Sequence, residues 1–192
     1  MKIDIILAGV GGQGILTIAA VIGTAAVNKG LYLKQAEVHG MSQRGGDVQS
    51  NLRISDKPIH SDLIVKGGAD MIISVEPMES LRYLPFLKKD GYLITNTKPF
   101  VNIPNYPEME DVMKEIEGMN HHVAINADQI AKDEVGSART SNIVMLGAAS
   151  PFLKMEMSEL EDALNELFGR KGDEVVEVNI KALRAGRKMA EK

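Results

Sequence analysis

The stretch from Met1 to Leu16 limits the possible folds of this chain more than any other. An apolar run, Ile3-Asp4-Ile5-Ile6-Leu7-Ala8, enters GVGGQG at Gly9–Gly14, and a second apolar segment, Ile15 to Val27, follows at once. The run is short, rich in β-branched residues and interrupted only by Asp4, which predicts the central strand of a parallel sheet. Glycines at 9, 11, 12 and 14 permit a tight turn and a close backbone approach where a Cβ would collide. The segment after them has helical length and composition, so its first N–H groups should point back into the turn. Strand, turn and helix start together predict an anion-binding corner. Gly9, Gly11 and Gly14 also satisfy the GxGxxG dinucleotide spacing. The same glycines would serve equally well in a tight turn that binds nothing.

Asn28-Lys29-Gly30 is a helix stop, with Gly30 suited to the left-handed region. Leu31–Ala36 reads as a second strand ending in Glu37, where a dinucleotide enzyme would hold a ribose. The chain then gives HGMSQRGG at 39–46 instead of a helix. Gly40, Gly45 and Gly46 around the guanidinium of Arg44 suit a loop that approaches phosphate or carboxylate; a surface turn with a solvated arginine has the same composition. From Asp47 the pattern alternates, with Val48, Ser50, Leu52 and Ile54 facing one way and Gln49, Asn51 and Arg53 the other. That predicts a half-buried strand, antiparallel or at an edge.

Strand-like runs recur at 69–75, 92–95 and 122–125, and helical patterns at 78–84 and 108–118. The segment SARTSNIVMLGAASPF opens with polar residues, including Asn142, and continues as a helix whose small-residue face, with Gly147, should press on another element. Ser158 with Glu161 reads as a capping box, and a last helix over 174–189 should carry Val175, Val178, Ala182 and Leu183 inward. This alternation predicts an α/β fold, a three-layer α/β/α sandwich on a mostly parallel or mixed sheet, with residues 1–192 as a single domain.

Composition narrows the chemistry. A formal charge of −4 gives no broad electrostatic reason to bind nucleic acid. No cysteine is present, which excludes disulfides, a cysteine nucleophile and iron–sulfur ligation by this chain's own thiolates. No apolar run reaches the roughly 18 residues of a membrane-spanning helix, and Met1-Lys2 leads directly into the first strand. Neither a membrane span nor a signal peptide is therefore expected, and the expected compartment is the cytoplasm. His121 and His122 are adjacent in a strand-like run, so their side chains point to opposite faces and make no ready metal pair.

Taken together, GVGGQG at 9–14, HGMSQRGG at 39–46, DVQSNLRIS at 47–55, GGADMIISVEPMESLRY at 67–83 and SARTSNIVMLGA at 137–148 resemble the gamma subunit or gamma domain of the 2-oxoacid:ferredoxin oxidoreductases. The resemblance covers essentially the whole chain. Within that family the small beta subunit of the two-subunit indolepyruvate type is the best match, with the gamma subunits of pyruvate and branched-chain enzymes as the alternative. The resemblance implies oxidative decarboxylation of an arylpyruvate with coenzyme A as co-substrate and ferredoxin as electron acceptor, ferredoxin being met through the complex. It places thiamine diphosphate and iron–sulfur clusters in a large catalytic partner subunit, with no cofactor bound by this chain alone and no metal site on it. It also matches Gly9, Gly11, Gly12, Gln13 and Gly14 to the family's glycine turn. Gly40, Arg44, Gly45 and Gly46 match its second loop, and Asn142 the polar start of its later helix. No residue has the activating neighbour that a catalytic acid, base or nucleophile needs. A stand-alone dinucleotide-binding oxidoreductase and a non-catalytic α/β scaffold are the readings that the residues leave open.

Arg44 gives the most local expectation. Arg44→Ala should leave the fold intact and weaken coenzyme A use or assembly with the large subunit, by about 2–5 kcal/mol if the contact is desolvated in the complex. Arg44→Lys keeps the charge and loses the planar fork, so a bidentate contact stays impaired. Subunit-binding curves and coenzyme A saturation kinetics check this; wild-type values for both variants return the loop to a surface turn.

Overall fold

The computed structural model describes residues 1–39 and 45–191. Among these residues β1 (Lys2–Val10), β2 (Tyr32–His39), β3 (Asp47–Ser55), β4 (Ala69–Ser74), β5 (Leu87–Asn96) and β6 (His122–Ile125) form one sheet in the order β2-β3-β1-β4-β5-β6. β3 runs antiparallel to both of its neighbours, and the β1–β4, β4–β5 and β5–β6 pairs are parallel. The sheet is therefore mixed, with one reversed strand beside its central one.

The helices are α1 (Ile15–Asn28), α2 (Pro77–Arg82), α3 (Met109–Glu117), α4 (Ala127–Val135), α5 (Ser141–Ala149), α6 (Met157–Phe168) and α7 (Asp173–Ala190). β1 alternates between the two faces they cover. Ile3, Ile5 and Leu7 join a core with residues of α1, α4, α5, α6 and α7, while Ile6 and Ala8 join a second core with Ile72, Leu93 and Val112 and Ile116 of α3. Helices thus flank the sheet on both sides, which is the expected three-layer sandwich. None of them is long and apolar enough to cross a membrane.

Asp4 is the one acidic residue of β1, and it is buried. Arg53 lies opposite it on β3 and donates to both carboxylate oxygens, at 2.8 and 3.2 Å, with Lys2 at 3.1 Å. Burial alone would raise the Asp4 pKa; the bonds and charges of Arg53 and Lys2 outweigh it, and the carboxyl is held below its ordinary value. Arg53 also donates to the carbonyls of Ser61 and Leu63, each at 3.0 Å, and Asn51 accepts from the Ile64 N–H at 3.1 Å. The polar side of β3 is consequently covered by the 61–64 segment. β3 is an interior strand, not an edge, because β1 and β2 pair with it on either side; its Arg53 and Asn51 side chains then find their partners in the segment over one face.

Three helix details differ from the sequence expectation. The capping box of α6 is Glu156 with Glu159, since the helix starts at Met157 and the Glu156 N–H donates to Glu159 at 2.8 Å. In α7 the buried residues are Val176, Asn179, Ala182, Leu183 and Gly186, with Val175 and Val178 only half-buried. α4 carries a cap that the sequence reading passed over: the Asn126 side chain accepts from the Gln129 N–H at 3.0 Å.

The rotation of α7 has a steric cause. A Cβ on Gly147 of α5 would stand 2.0 Å from the Leu183 carbonyl oxygen, and one on Gly186 would stand 1.9 Å from that of Val144. The two helix backbones touch at these reciprocal glycines, and the obstructing atoms are backbone, which cannot swing away. Gly147→Ala gains about 1 kcal/mol of helix propensity but forces the helices apart. The expected net loss is about 2–3 kcal/mol, a fall of roughly 5–10 °C in Tm for a chain of this size. Gly169→Ala, where a Cβ meets nothing within 4 Å, should change stability by no more than about 0.5 kcal/mol. Thermal unfolding of the two variants side by side checks the contact, and equal Tm values would refute it.

Candidate functional site

The chain leaves β1 through α1 on one face of the sheet and leaves β4 through α2 on the other. β1 and β4 are neighbours, so a crevice opens beyond their carboxyl ends, the usual binding position in open α/β sheets. GVGGQG lies in that crevice. A Cβ on Gly9 would fall 2.4 Å from Cγ2 of Val75 and 2.9 Å from Cδ1 of Ile15, so only glycine lets the end of β4 and the start of α1 close on β1. Gly14 is left-handed, at φ 79°, and forms the N-cap of α1 without a side-chain cap. No acidic residue occupies the first turn of α1, so its positive end is not neutralised from within that turn.

The turn is braced from three directions. Val10 donates its N–H to Oε1 of Gln13 at 2.8 Å, and Gln13 returns its N–H to the Val10 carbonyl at 3.2 Å. Gly11 donates to the Gly46 carbonyl at 2.9 Å, which ties the turn to the chain just before β3. Asn142, at the start of α5, donates Nδ2 to the Gly14 carbonyl at 3.1 Å. The structure therefore brings together Gly9, Gly11, Gly12, Gln13, Gly14, Gly45, Gly46 and Asn142. Gly40 and Arg44 lie outside the described residues. Gln13 and Asn142 each use a polar atom inside the corner: Gln13 accepts through its side-chain oxygen, and Asn142 donates through its amide nitrogen.

Beside the turn, α1, α5 and the α6–α7 junction enclose a cleft of about 570 Å³ lined by Thr17, Arg139, Asn142, Phe168, Lys171 and Glu174, among others. Arg139 and Lys171 are exposed, and the Lys171 ammonium sits 5.1 Å from the centre of the Phe168 ring. Two cations, an aromatic face and the hydroxyl of Thr17 suit an anionic ligand with a flat, partly apolar portion. Sequence reasoning missed Arg139, Phe168 and Lys171 as a group, because Arg139 lies about 30 residues before the other two and no periodicity links them.

On the other side of the crevice, Asp47 opens β3 and accepts from the Tyr83 hydroxyl at 3.3 Å. Burial, together with the Asp47 charge, pushes the Tyr83 phenol up to about 12. Glu79 is buried and paired with Arg82 at 2.7 Å; burial raises its pKa against the pull of that arginine. These groups are locked in pairs, and none is a free acid or base facing the turn. Among the described residues, no group of three or more His, Cys, Asp or Glu side chains could hold a metal ion. Glu37 pairs across to Ser50 on β3, and β3 separates β2 from β1. Two strand spacings, about 10 Å, therefore stand between that acid's strand and β1, which removes the geometric basis of the dinucleotide reading.

The family described as pyruvate ferredoxin/flavodoxin oxidoreductase matches residues 4–189. The indolepyruvate oxidoreductase subunit IorB of Archaeoglobus fulgidus is 37% identical, the match covering 97% of this chain and 94% of that relative. A keto/oxoacid ferredoxin oxidoreductase gamma subunit from Geobacter sulfurreducens superposes with a TM-score of 0.73 at 26% identity, over 98% of each chain. The 2-oxoglutarate:ferredoxin oxidoreductase from Magnetococcus marinus, solved with 2-oxoglutarate, coenzyme A and succinyl-CoA bound, shares the fold with a TM-score of 0.79 at 23% identity. That match covers 99% of this chain and 31% of the longer one. With nearly its full length matched by the family, and a relative above 30% identity over almost all of it, this chain belongs to the pyruvate ferredoxin/flavodoxin oxidoreductase family.

Proposed function

We propose that this chain is the small subunit of an indolepyruvate:ferredoxin oxidoreductase, acting as a single gamma-type unit over residues 1–192 and inactive without its large partner. The observation that carries the reading is the 37% identity to an indolepyruvate oxidoreductase subunit over 97% of the chain. In the overall reaction an arylpyruvate loses carbon dioxide and its acyl carbon passes to coenzyme A, while two electrons leave one at a time to oxidised ferredoxin. Thiamine diphosphate supplies the carbanion chemistry and iron–sulfur clusters the one-electron steps, both from the partner. A chain without cysteine cannot ligate clusters through thiolates, which supports that division. The proposed compartment is the cytoplasm.

Within that complex this chain contributes a wall of the coenzyme A path. The glycine turn presents the start of α1, and the adjoining cleft presents Arg139 and Lys171 as fixed charges for phosphate. Among the described residues the turn holds no general base and the cleft one exposed carboxylate, Glu174, so the role proposed for this chain is to bind and orient.

Co-expression with the large subunit tests the reading. Neither chain alone should turn over, and the pair should reduce ferredoxin with kcat/KM for indolepyruvate at least about tenfold above that for pyruvate. Arg139→Ala and Lys171→Ala should each raise the coenzyme A KM by roughly three- to tenfold, about 0.7–1.4 kcal/mol, the net weight of one hydrogen bond at an exposed position. Turnover by the small chain alone would refute the subunit assignment. A preference for pyruvate would refute the indolepyruvate label, and unchanged coenzyme A kinetics would remove the cleft from the path.

A further inference from the structure

Glu76 is the most deeply buried acid near the crevice, with no exposed surface. A carboxylate in that position is costly unless donors surround it. As the N-cap of α2 it needs only one: Oε2 accepts from the Glu79 N–H at 2.8 Å. Its other oxygen does something a cap does not require. Oε1 accepts from the Phe100 N–H at 3.1 Å and from the Tyr106 hydroxyl, partners 24 and 30 residues away. Burial, and then the bond to Glu76, hold the Tyr106 phenol above its ordinary pKa, so it remains a donor.

The segment these bonds hold has no regular structure, and it exposes Phe100, Val101 and Ile103. A stretch with so little buried area keeps one position only where it is pinned. Midway between its two pins, Asn102 donates Nδ2 to the Gly45 carbonyl. The next residue, Gly46, accepts the Gly11 N–H of the glycine turn at 2.9 Å. A continuous set of hydrogen bonds therefore runs from the Glu76 carboxylate through residues 100–106 to Gly45, Gly46 and Gly11.

We propose that Glu76 is a positioning residue. It fixes the 100–106 strap so that Asn102 holds Gly45–Gly46 against the glycine turn, which sets the width of the corner. The strap transmits this order and touches no reacting atom. The kinetic consequence rests on the proposed role of the corner in binding coenzyme A; the structural consequence does not.

Three variants of the full chain separate the strap from the cap. Tyr106→Phe and Asn102→Ala each remove one link of the strap, at half-buried and exposed positions, and leave the Glu76–Glu79 cap in place. Glu76→Gln alters both. Hydrogen exchange should rise at least about fivefold at the Gly11 amide in Tyr106→Phe and Asn102→Ala, with the Glu79 amide unchanged. In Glu76→Gln exchange should rise at both amides. In the reconstituted complex the two strap variants should raise the coenzyme A KM at least about threefold and leave kcat within about twofold, as for a group that orders a binding wall. Wild-type exchange at Gly11 in both strap variants overturns the proposal, whether or not Glu76→Gln folds. Faster Gly11 exchange with a wild-type coenzyme A KM upholds the positioning role and overturns the coenzyme A reading of the corner.

Discussion

At the end of β1 two segments close on a point that admits no Cβ. Val75 arrives from β4 and Ile15 from α1, and both stand within van der Waals exclusion of where a side chain on Gly9 would begin. The rest of the crevice depends on this contact. A larger residue at position 9 would displace the side chains of Val75 and Ile15 and the Gln13 amide, whose oxygen stands 3.1 Å away and accepts from Val10 within the turn. The corner is thus a packing result first. Its capacity to meet an anion follows from where the packing leaves the helix start.

The two faces of the sheet are held by different physics. One carries α1 and α4 to α7 over a large apolar core, with α5 and α7 in backbone contact at Gly147 and Gly186. The other has, among the described residues, only α2 and α3, six and nine residues long, and depends on irregular segments for the remaining cover. Each of those segments is tied down by a buried carboxylate. Asp4 anchors Arg53, which holds residues 61 and 63, and Glu76 holds residues 100 and 106. Truncating Arg53, the charged partner of buried Asp4, costs about 3–5 kcal/mol, because the carboxylate is left uncompensated. The thinner face therefore gains its definition from polar networks more than from apolar area.

This division explains what the sequence disclosed. The strand–turn–helix unit was legible because its signals are contiguous: an apolar run, glycines at fixed offsets, then a helical segment. The small-residue face of α5 was legible for the same reason, through Gly147. That SARTSN meets GVGGQG was not legible from periodicity, since Asn142 and Gly14 are 128 residues apart; only the family resemblance brought the two motifs together. The alternation in β3 fits an edge strand or an interior one. What decides between them is remote pairing, with β1 on one side and β2 on the other, while a loop with no periodicity of its own supplies the partners of Arg53 and Asn51 on the covered face. Glu76 reads locally as the residue before a helix-starting proline, and its remote partners have no sequence signature. Val175 and Val178 were misplaced because apolar spacing alone cannot register the backbone contact that turns α7.

The use of polar groups in the corner also bears on selectivity. Gln13 Oε1 is bonded to Val10, Asn142 Nδ2 to Gly14, and the Gly11 N–H to Gly46, so each of these atoms already has a partner within the protein. What remains towards solvent is the uncapped start of α1, the exposed Gly12 and the charges of Arg139, Lys171 and Glu174, positive on balance. These features recognise negative charge and are indifferent to the shape of an aryl group. The one ring in the cleft, Phe168, lies under the Lys171 ammonium, and the chain has only four phenylalanines, four tyrosines and no tryptophan with which to build an aromatic pocket. A surface of this kind would serve any anionic ligand alike, so discrimination among 2-oxoacids is a task for groups other than those of the corner and the cleft.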